Sequence, residues 1–246
     1  MKKDEYQPRT YRHWIESRDL AAFNVSVKET DLYLRAAANL QRKARRLVLK
    51  YREQLEEYIQ NNPDFLTSLV PLPTPTHAPR IVLDMIEAGR LANVGPMAAV
   101  AGAMAEMVGG ELLEYSPEII VENGGDIFLK ITRQRIIGIY AGNSPLTGKI
   151  GLEINPGDTP LGICTSSGTV GHSLSYGKAD AVIITAASAA LADAAATAVC
   201  NKVVKPGDIS DGIELGRKIP GLKGIVIVIG ESIGAWGEIR LCETSI

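Results

Sequence analysis

Between Gly162 and Cys200 the sequence gathers hydroxyl residues, glycines, one histidine and one acid into a single stretch, GICTSSGTVGHSLSYGKADAVIITAASAALADAAATAVC. An apolar core has no use for most of these groups. Together they could offer backbone N–H groups, hydroxyls and a carboxylate to one phosphate-bearing ligand. The sharpest pair is Asp193 and Thr197 in ALADAAATA. Four residues separate them, so on a helix both side chains leave the same face. A carboxylate and a hydroxyl so placed suit a hard divalent ion such as Mg²⁺, which takes oxygen ligands, keeps waters and binds alongside substrate phosphates. The alternative is that Asp193 caps a helix start, where the dipole favours an acid, with Thr197 as filler.

Three more features surround this pair. Thr165, Ser166, Ser167 and Gly168 open a loop of hydroxyls and glycines that could donate to anionic oxygens, as phosphate nests do. The loop lacks the lysine of a P-loop, and it also reads as an ordinary polar loop. His172 follows as a candidate for catalysis, or as a structural or surface histidine; no paired-histidine spacing makes it a metal ligand. Cys164 precedes the loop, either as a thiolate beside backbone donors or as a small buried apolar group. Earlier in the chain, Asn123-Gly124-Gly125-Asp126 follows an apolar run. Two glycines permit positive φ and close approach, so Gly124 and Gly125 could face a ligand with Asp126 as acceptor or brace. A plain hairpin turn is the other reading.

Periodicity supplies the elements that hold these groups. Phe23 to Leu34 alternates apolar and polar residues and predicts one strand or two short ones. Leu40, Ala44, Leu47, Tyr51, Leu55 and Tyr58 predict an amphipathic helix that Asn62-Pro63 stops. The run QRKARR lies on it and reads as a solvated face, because its cations alternate with core positions. Prolines 71, 73, 75 and 79 stiffen a connector. Helices are predicted over 80–91, from Gly95-Pro96 onward, over 189–199 and over 209–218. Strands are predicted at 118–121, KIGLEI, 179–185, LKGIVIVIG and EIRLC, with DIFLKI and IIGIYA as a hairpin around Thr132-Arg133-Gln134. Helices and strands interleave without strict βαβ order. The expectation is therefore an α/β fold in the broad α+β sense: a mixed sheet with packed helices. One domain over 1–246 is expected, with a strand and helix in 1–70, a crossover at 70–79 and the site in 80–246.

Composition narrows the function. The chain has 246 residues and a net charge of −2, so no overall basic field calls for nucleic acid. Three scattered cysteines make no disulfide framework and no metal finger. MKKDEYQPRTYRHW lacks the apolar core of a signal peptide, and no stretch approaches a membrane span of about 20 apolar residues. These features lead to an expectation of a cytoplasmic protein without membrane or nucleic-acid partners. A homodimer is a base-rate expectation.

In this order, Gly124-Gly125-Asp126, then Thr165-Ser166-Ser167-Gly168 with His172, then Ala192-Asp193-Ala194-Ala195-Ala196-Thr197-Ala198 resemble the ApbE-like flavin-transferase superfamily, and most closely its UPF0280 branch. The motifs cover about residues 118–203. The resemblance implies an ApbE-like fold that binds FAD and a divalent ion, usually Mg²⁺, held by Asp193 and Thr197. It implies cleavage of the FAD pyrophosphate, transfer of FMN to a serine or threonine of an acceptor protein, and release of AMP. The chain departs from that pattern in two places. HSLSYGKADAV stands where the transferases carry H-x-x-D-P-x-T-G, and the helix after Gly95-Pro96 has no lysine. A non-catalytic flavin or nucleotide carrier or assembly protein is the alternative. So is a divergent enzyme of anaerobic sulfur metabolism using Cys164.

Overall fold

The computed structural model describes residues 12, 14, 15, 17–170 and 175–244. Its first elements are β1 (Ala21–Val27) and β2 (Thr30–Ala36), so the alternating run is two strands of one hairpin. Helix α1 (Gln41–Asn61) buries Ala44, Val48, Tyr51 and Leu55, the stripe its period predicts. A short α2 (Asp64–Thr67), the proline-rich connector and α3 (Arg80–Ala92) follow. Asn93 ends α3 in the left-handed conformation, with φ of 58°. Pro96–Ala99 forms a 3₁₀ turn that leads into α4 (Val100–Leu112).

The remaining strands are β3 (Ile119–Asn123), β4 (Asp126–Lys130), β5 (Arg135–Gly138), β6 (Ile150–Ile154), β7 (Leu161–Ser166), β8 (Ala181–Ala186), β9 (Leu222–Ile229), β10 (Ser232–Gly237) and β11 (Leu241–Glu243). Helices α5 (Ala189–Lys202) and α6 (Ile209–Arg217) lie between β8 and β9. Among the described residues, eight strands pair in the order β1-β2-β3-β4-β7-β8-β9-β10, and three pair as β11-β6-β5. The mixture of helices and strands is as expected. The ladders themselves are antiparallel throughout, so neither sheet is mixed in direction. The expected hairpin around Thr132-Arg133-Gln134 is corrected: β4 pairs with β3 and β7, whereas β5 pairs with β6. The chain changes sheets there, and local sequence does not distinguish a turn from a crossing.

The large sheet is covered on both faces. On one face Val121, Phe128, Cys164, Val182, Ile184, Ile225 and Ile227 meet the helices. On the other Ile120, Ile127, Leu129, Ile163, Ile183, Val226 and Val228 meet Ile137, Leu152 and Ile154 of the small sheet. This two-sided burial explains the unbroken apolar runs of β8 and β9. No single helix among the described residues is long and apolar enough to cross a membrane.

Helix α5 is enclosed by α3, α4, α6, β7 and β8. Between Ala189 and Cys200 every residue is buried except Asp193 and Thr197. Glycines set the fit. A Cβ at Gly162 on β7 would stand 2.3 Å from the Ala189 Cα, and one at Gly102 on α4 would stand 2.2 Å from the Ala189 carbonyl oxygen. Both obstructions are backbone, so neither can be relieved by a rotamer change. Gly162→Ala is therefore expected to destabilise the protein by about 1–3 kcal/mol through displacement of α5. A urea midpoint equal to that of the wild type would show that the helix is not seated this closely.

Candidate functional site

The Asn123–Asp126 segment is the β3–β4 hairpin turn, with φ of 67° at Gly124 and 107° at Gly125. The plain-turn reading is thus correct as geometry, and the glycines are there because both positions need positive φ. The turn is tethered at three points. Glu122 Oε1 accepts from the Gly125 N–H at 2.8 Å. Arg12 Nε pairs with Glu122 Oε2 at 2.7 Å. Asn123 Nδ2 donates to the Ala101 carbonyl at 3.1 Å, which fixes the turn to the start of α4.

Asp126 opens β4 and is buried, with Oδ1 accepting from the Thr165 N–H at 3.1 Å. Asp193 reaches from α5 to the first turn of α4, where Oδ2 accepts from the Gly102 N–H at 2.9 Å. The two carboxylates feel each other. Burial first, and then the charge of Asp193, hold the Asp126 carboxyl well above the usual carboxylate range. Burial pushes Asp193 up to about 7, against the N–H groups of Gly102 and Ala101. The structure therefore joins two predicted site residues from distant parts of the sequence. Thr197, one turn beyond Asp193, is also half-buried.

Cys164 lies beneath this pair, fully buried, with Sγ 3.3 Å from the Ala189 carbonyl oxygen and a hydrogen bond to Asp126. Burial and then the charges of Asp126 and Asp193 push its thiol well above the ordinary value. A thiol so placed stays protonated and acts as a small packing group, the second of its two sequence readings.

The expected hydroxyl loop from Thr165 is corrected: Thr165 and Ser166 are the last residues of β7, paired to β8, and the turn begins at Ser167. The Thr165 N–H is committed to Asp126, and the Gly168 N–H to the Ala179 carbonyl at 2.9 Å. Ser167 Oγ accepts from the N–H groups of Thr169 and Val170 at 3.1 and 2.9 Å. Ser166 is buried against the Cys200 thiol. His172 lies outside the described residues.

Sequence reasoning missed Glu106. Its Oε2 accepts from Ser188 Oγ at 3.0 Å, from Ala189 N at 2.7 Å and from Ala190 N at 3.2 Å, closing the N-terminus of α5. Burial raises its carboxyl against these hydrogen bonds. An acid in AVAGAMAEMVG is as conspicuous as one in ALADAAATA, so the same argument would have found it.

Among the described residues no three His, Cys, Asp or Glu side chains form a group that could hold a metal ion. The oxygen donors in this region are the two carboxylates, with the Thr197 hydroxyl one helical turn along α5 from Asp193. That set fits a cation that prefers oxygen, retains waters and shares a substrate's phosphates. The repulsion between Asp126 and Asp193 is the feature such a charge would relieve. A void of about 20 Å³ beside Asp158 and Thr185 and a groove of about 670 Å³ along α1 lie elsewhere and touch neither acid.

Comparison with known proteins follows the same lines. A family model described as AbpE bacteria matches residues 12–218. A UPF0280 protein of Methanocaldococcus jannaschii is 45% identical over 232 residues, 92% of this chain and 92% of its own. One from Methanococcus aeolicus is 41% identical over 222 residues, 88% of this chain and 87% of its own. Among solved structures, the apo flavinyl transferase ApbE of Pseudomonas stutzeri aligns with a TM-score of 0.53 at 12% identity, covering 88% of this chain and 93% of its own. A variant of the flavin transferase ApbE from Vibrio cholerae aligns at 0.58 and 11% identity, covering 88% and 96%. At such identities these structures speak for the fold alone. The chain belongs to the UPF0280 family of ApbE-like proteins and has the fold of the ApbE flavin transferases.

Proposed function

We propose that the protein is a Mg²⁺-dependent flavin-nucleotide enzyme that cleaves the FAD pyrophosphate and transfers FMN to a hydroxyl of an acceptor protein. The observation that carries this reading is the pair of carboxylates that feel each other's charge, the buried Asp126 and the half-buried Asp193, each also held by a backbone N–H. Asp193, Asp126 and the Thr197 hydroxyl would hold the ion, which supplies charge neutralisation on the diphosphate. The chain's own part is positioning. The tethered Gly124-Gly125 turn brings backbone close to the ligand without a Cβ in the way; no atom lies within 4 Å of where a Cβ would stand at either glycine. His172 is the sequence's candidate to take the proton of the acceptor hydroxyl. Thr165 is the direct partner of Asp126, and Ser166, Ser167 and Gly168 follow it as the sequence's candidates for contact with the nucleotide.

A second reading has an observation of its own. The N–H groups of Gly168, Thr169 and Val170 are satisfied internally, so this loop offers few donors to a phosphate. That favours a carrier or assembly protein that binds flavin nucleotide without turnover. AMP release separates the two readings.

Titration calorimetry with FAD is expected to show binding with Mg²⁺ and a loss of at least about tenfold in EDTA. AMP release is expected in wild type and at least about a hundredfold slower in Asp193→Asn. Equal FAD affinity in EDTA would end the metal-dependent reading; tight binding without AMP would leave the carrier.

The acids also set a pH dependence. In the unfolded chain both ionise near the ordinary carboxylate value of 3.8, while in the native state Asp193 ionises at about 7 and Asp126 is held well above the usual range. The native state thus binds more protons between these limits, and stability falls as pH rises from about 4 to about 7. Asp193→Asn is expected to remove part of that fall, gaining about 1–2 kcal/mol at pH 8 in EDTA after allowance for its partial exposure. Mg²⁺ is expected to stabilise wild type more at pH 8 than at pH 5. Parallel stability curves for the two proteins across this range would mean that the two carboxylates do not interact as described.

A further inference from the structure

Five charged side chains on the outer face of α1 have no ion pair or side-chain hydrogen bond among the described residues: Arg42, Arg45, Arg46, Glu53 and Glu57. All are exposed, and Leu49, also exposed at 41%, lies between the cations and the acids. Arg42, Arg46, Leu49, Glu53 and Glu57 follow at steps of four, three, four and four, which puts them on one stripe. The neighbouring charges are used internally: Lys50 bonds Glu111, and Arg52 bonds Glu29 and Glu56.

The order of signs is the wrong one for an isolated helix. The positive end of the helix dipole meets cations and the negative end meets acids; the first turn has no acid and the last turn no base. The cations of this face are therefore concentrated at the N-terminal end of α1, with Arg42, Arg45 and Arg46 all exposed. An anionic polymer would be repelled by the Glu53 and Glu57 half. An unrelated acidic partner would leave that half unmatched. The one surface that complements the entire stripe is the stripe itself, turned end over end.

We infer that this face of α1 is a self-association surface on which a second copy of the chain docks with its α1 antiparallel. About a two-fold axis beside Leu49, Arg46 meets Glu53 of the partner subunit and Arg42 meets Glu57 of the partner subunit. The two Leu49 side chains fill the centre. Such an isologous contact needs a self-complementary patch, and these residues form one. The groove of about 670 Å³ between the acidic half of α1 and Val27 and Lys28 of the β1–β2 turn receives the arginine stems. Antiparallel alignment also opposes the two helix dipoles favourably. The inference is independent of the flavin reading, because the interface needs neither Asp126 nor Asp193.

Sedimentation velocity on the full chain tests it. Wild type is expected to be a dimer at about 50 mM salt, and its dissociation constant to rise about tenfold or more near 500 mM. Arg42→Glu with Arg46→Glu gives an all-acidic stripe, and Glu53→Arg with Glu57→Arg an all-basic one. Each protein alone is expected to be monomeric, with dimerisation weakened about a hundredfold. An equimolar mixture of the two is expected to form a heterodimer, and the chain carrying all four changes to recover the homodimer. The inference is overturned by a wild type that is monomeric at low salt, including one that instead binds RNA or anionic vesicles. It is equally overturned by a dimer that neither double variant weakens, or by a mixture and a four-fold variant that both stay monomeric.

Discussion

Helix α5 is seated mainly through buried alanines against glycines of its neighbours, and the placement of the acids at the candidate site follows from that close fit. Gly162 on β7 and Gly102 on α4 let the backbone of Ala189 approach to near contact. Seated so closely, α4 and α5 exchange acids near their N-termini. Glu106 of α4 closes the first N–H groups of α5, and Asp193 of α5 reaches the Gly102 N–H in the first turn of α4. Each carboxylate lies at the positive end of the other helix, where the dipole and the unpaired N–H groups favour it.

The two acids differ in what remains after that exchange. Glu106 Oε2 accepts three hydrogen bonds from the Ser188 hydroxyl and two backbone N–H groups, which accounts for a capping role. Asp193 receives its N–H bonds from the start of α4 and then faces a second carboxylate. A cap needs no like charge beside it. The position of Asp126 is therefore what separates a structural acid from a candidate functional one, and spacing within α5 alone carries no trace of it.

Local patterns were legible where the structure is local. The helical stripe from Leu40 to Tyr58, the punctuation at Asn62-Pro63 and Gly95-Pro96, and the alternation around Phe23 all describe short-range periodicity that the fold keeps. Asp193 stood out because an acid among alanines has no packing role. The same test applied to α4 yields Glu106. Three features were not legible. Whether β4 and β5 pair depends on sheet membership, a long-range property. The edge strand β10, SIGAWG, half-buries Ser232, Gly234 and Trp236 and exposes Ile233, Ala235 and Gly237, so its sequence shows no apolar alternation. The hydroxyl loop was read by composition, whereas its N–H groups are taken by Ser167 and Ala179, partners that only the folded chain brings into place.

Repulsion between two acids is ordinarily relieved by motion, since a turn can swing one carboxylate toward water. Here that route is closed. The Gly125 N–H is held by Glu122, Glu122 is held by Arg12, and Asn123 is bound to the Ala101 carbonyl in the same loop-to-helix seam that supplies Asp193 with its donors. Asp126 is also bound to the Thr165 N–H on the neighbouring strand. The backbone that carries Asp193 cannot retreat either, because its helix is packed against α3, α4, α6 and the sheet. With both backbones fixed, the charge of the pair can change only by gaining a proton or a cation. The packing that raises both carboxyls by burial and fixes their backbones is thus the same packing that preorganises oxygen donors for an ion, and the Arg12–Glu122 pair belongs to that support although it touches neither acid.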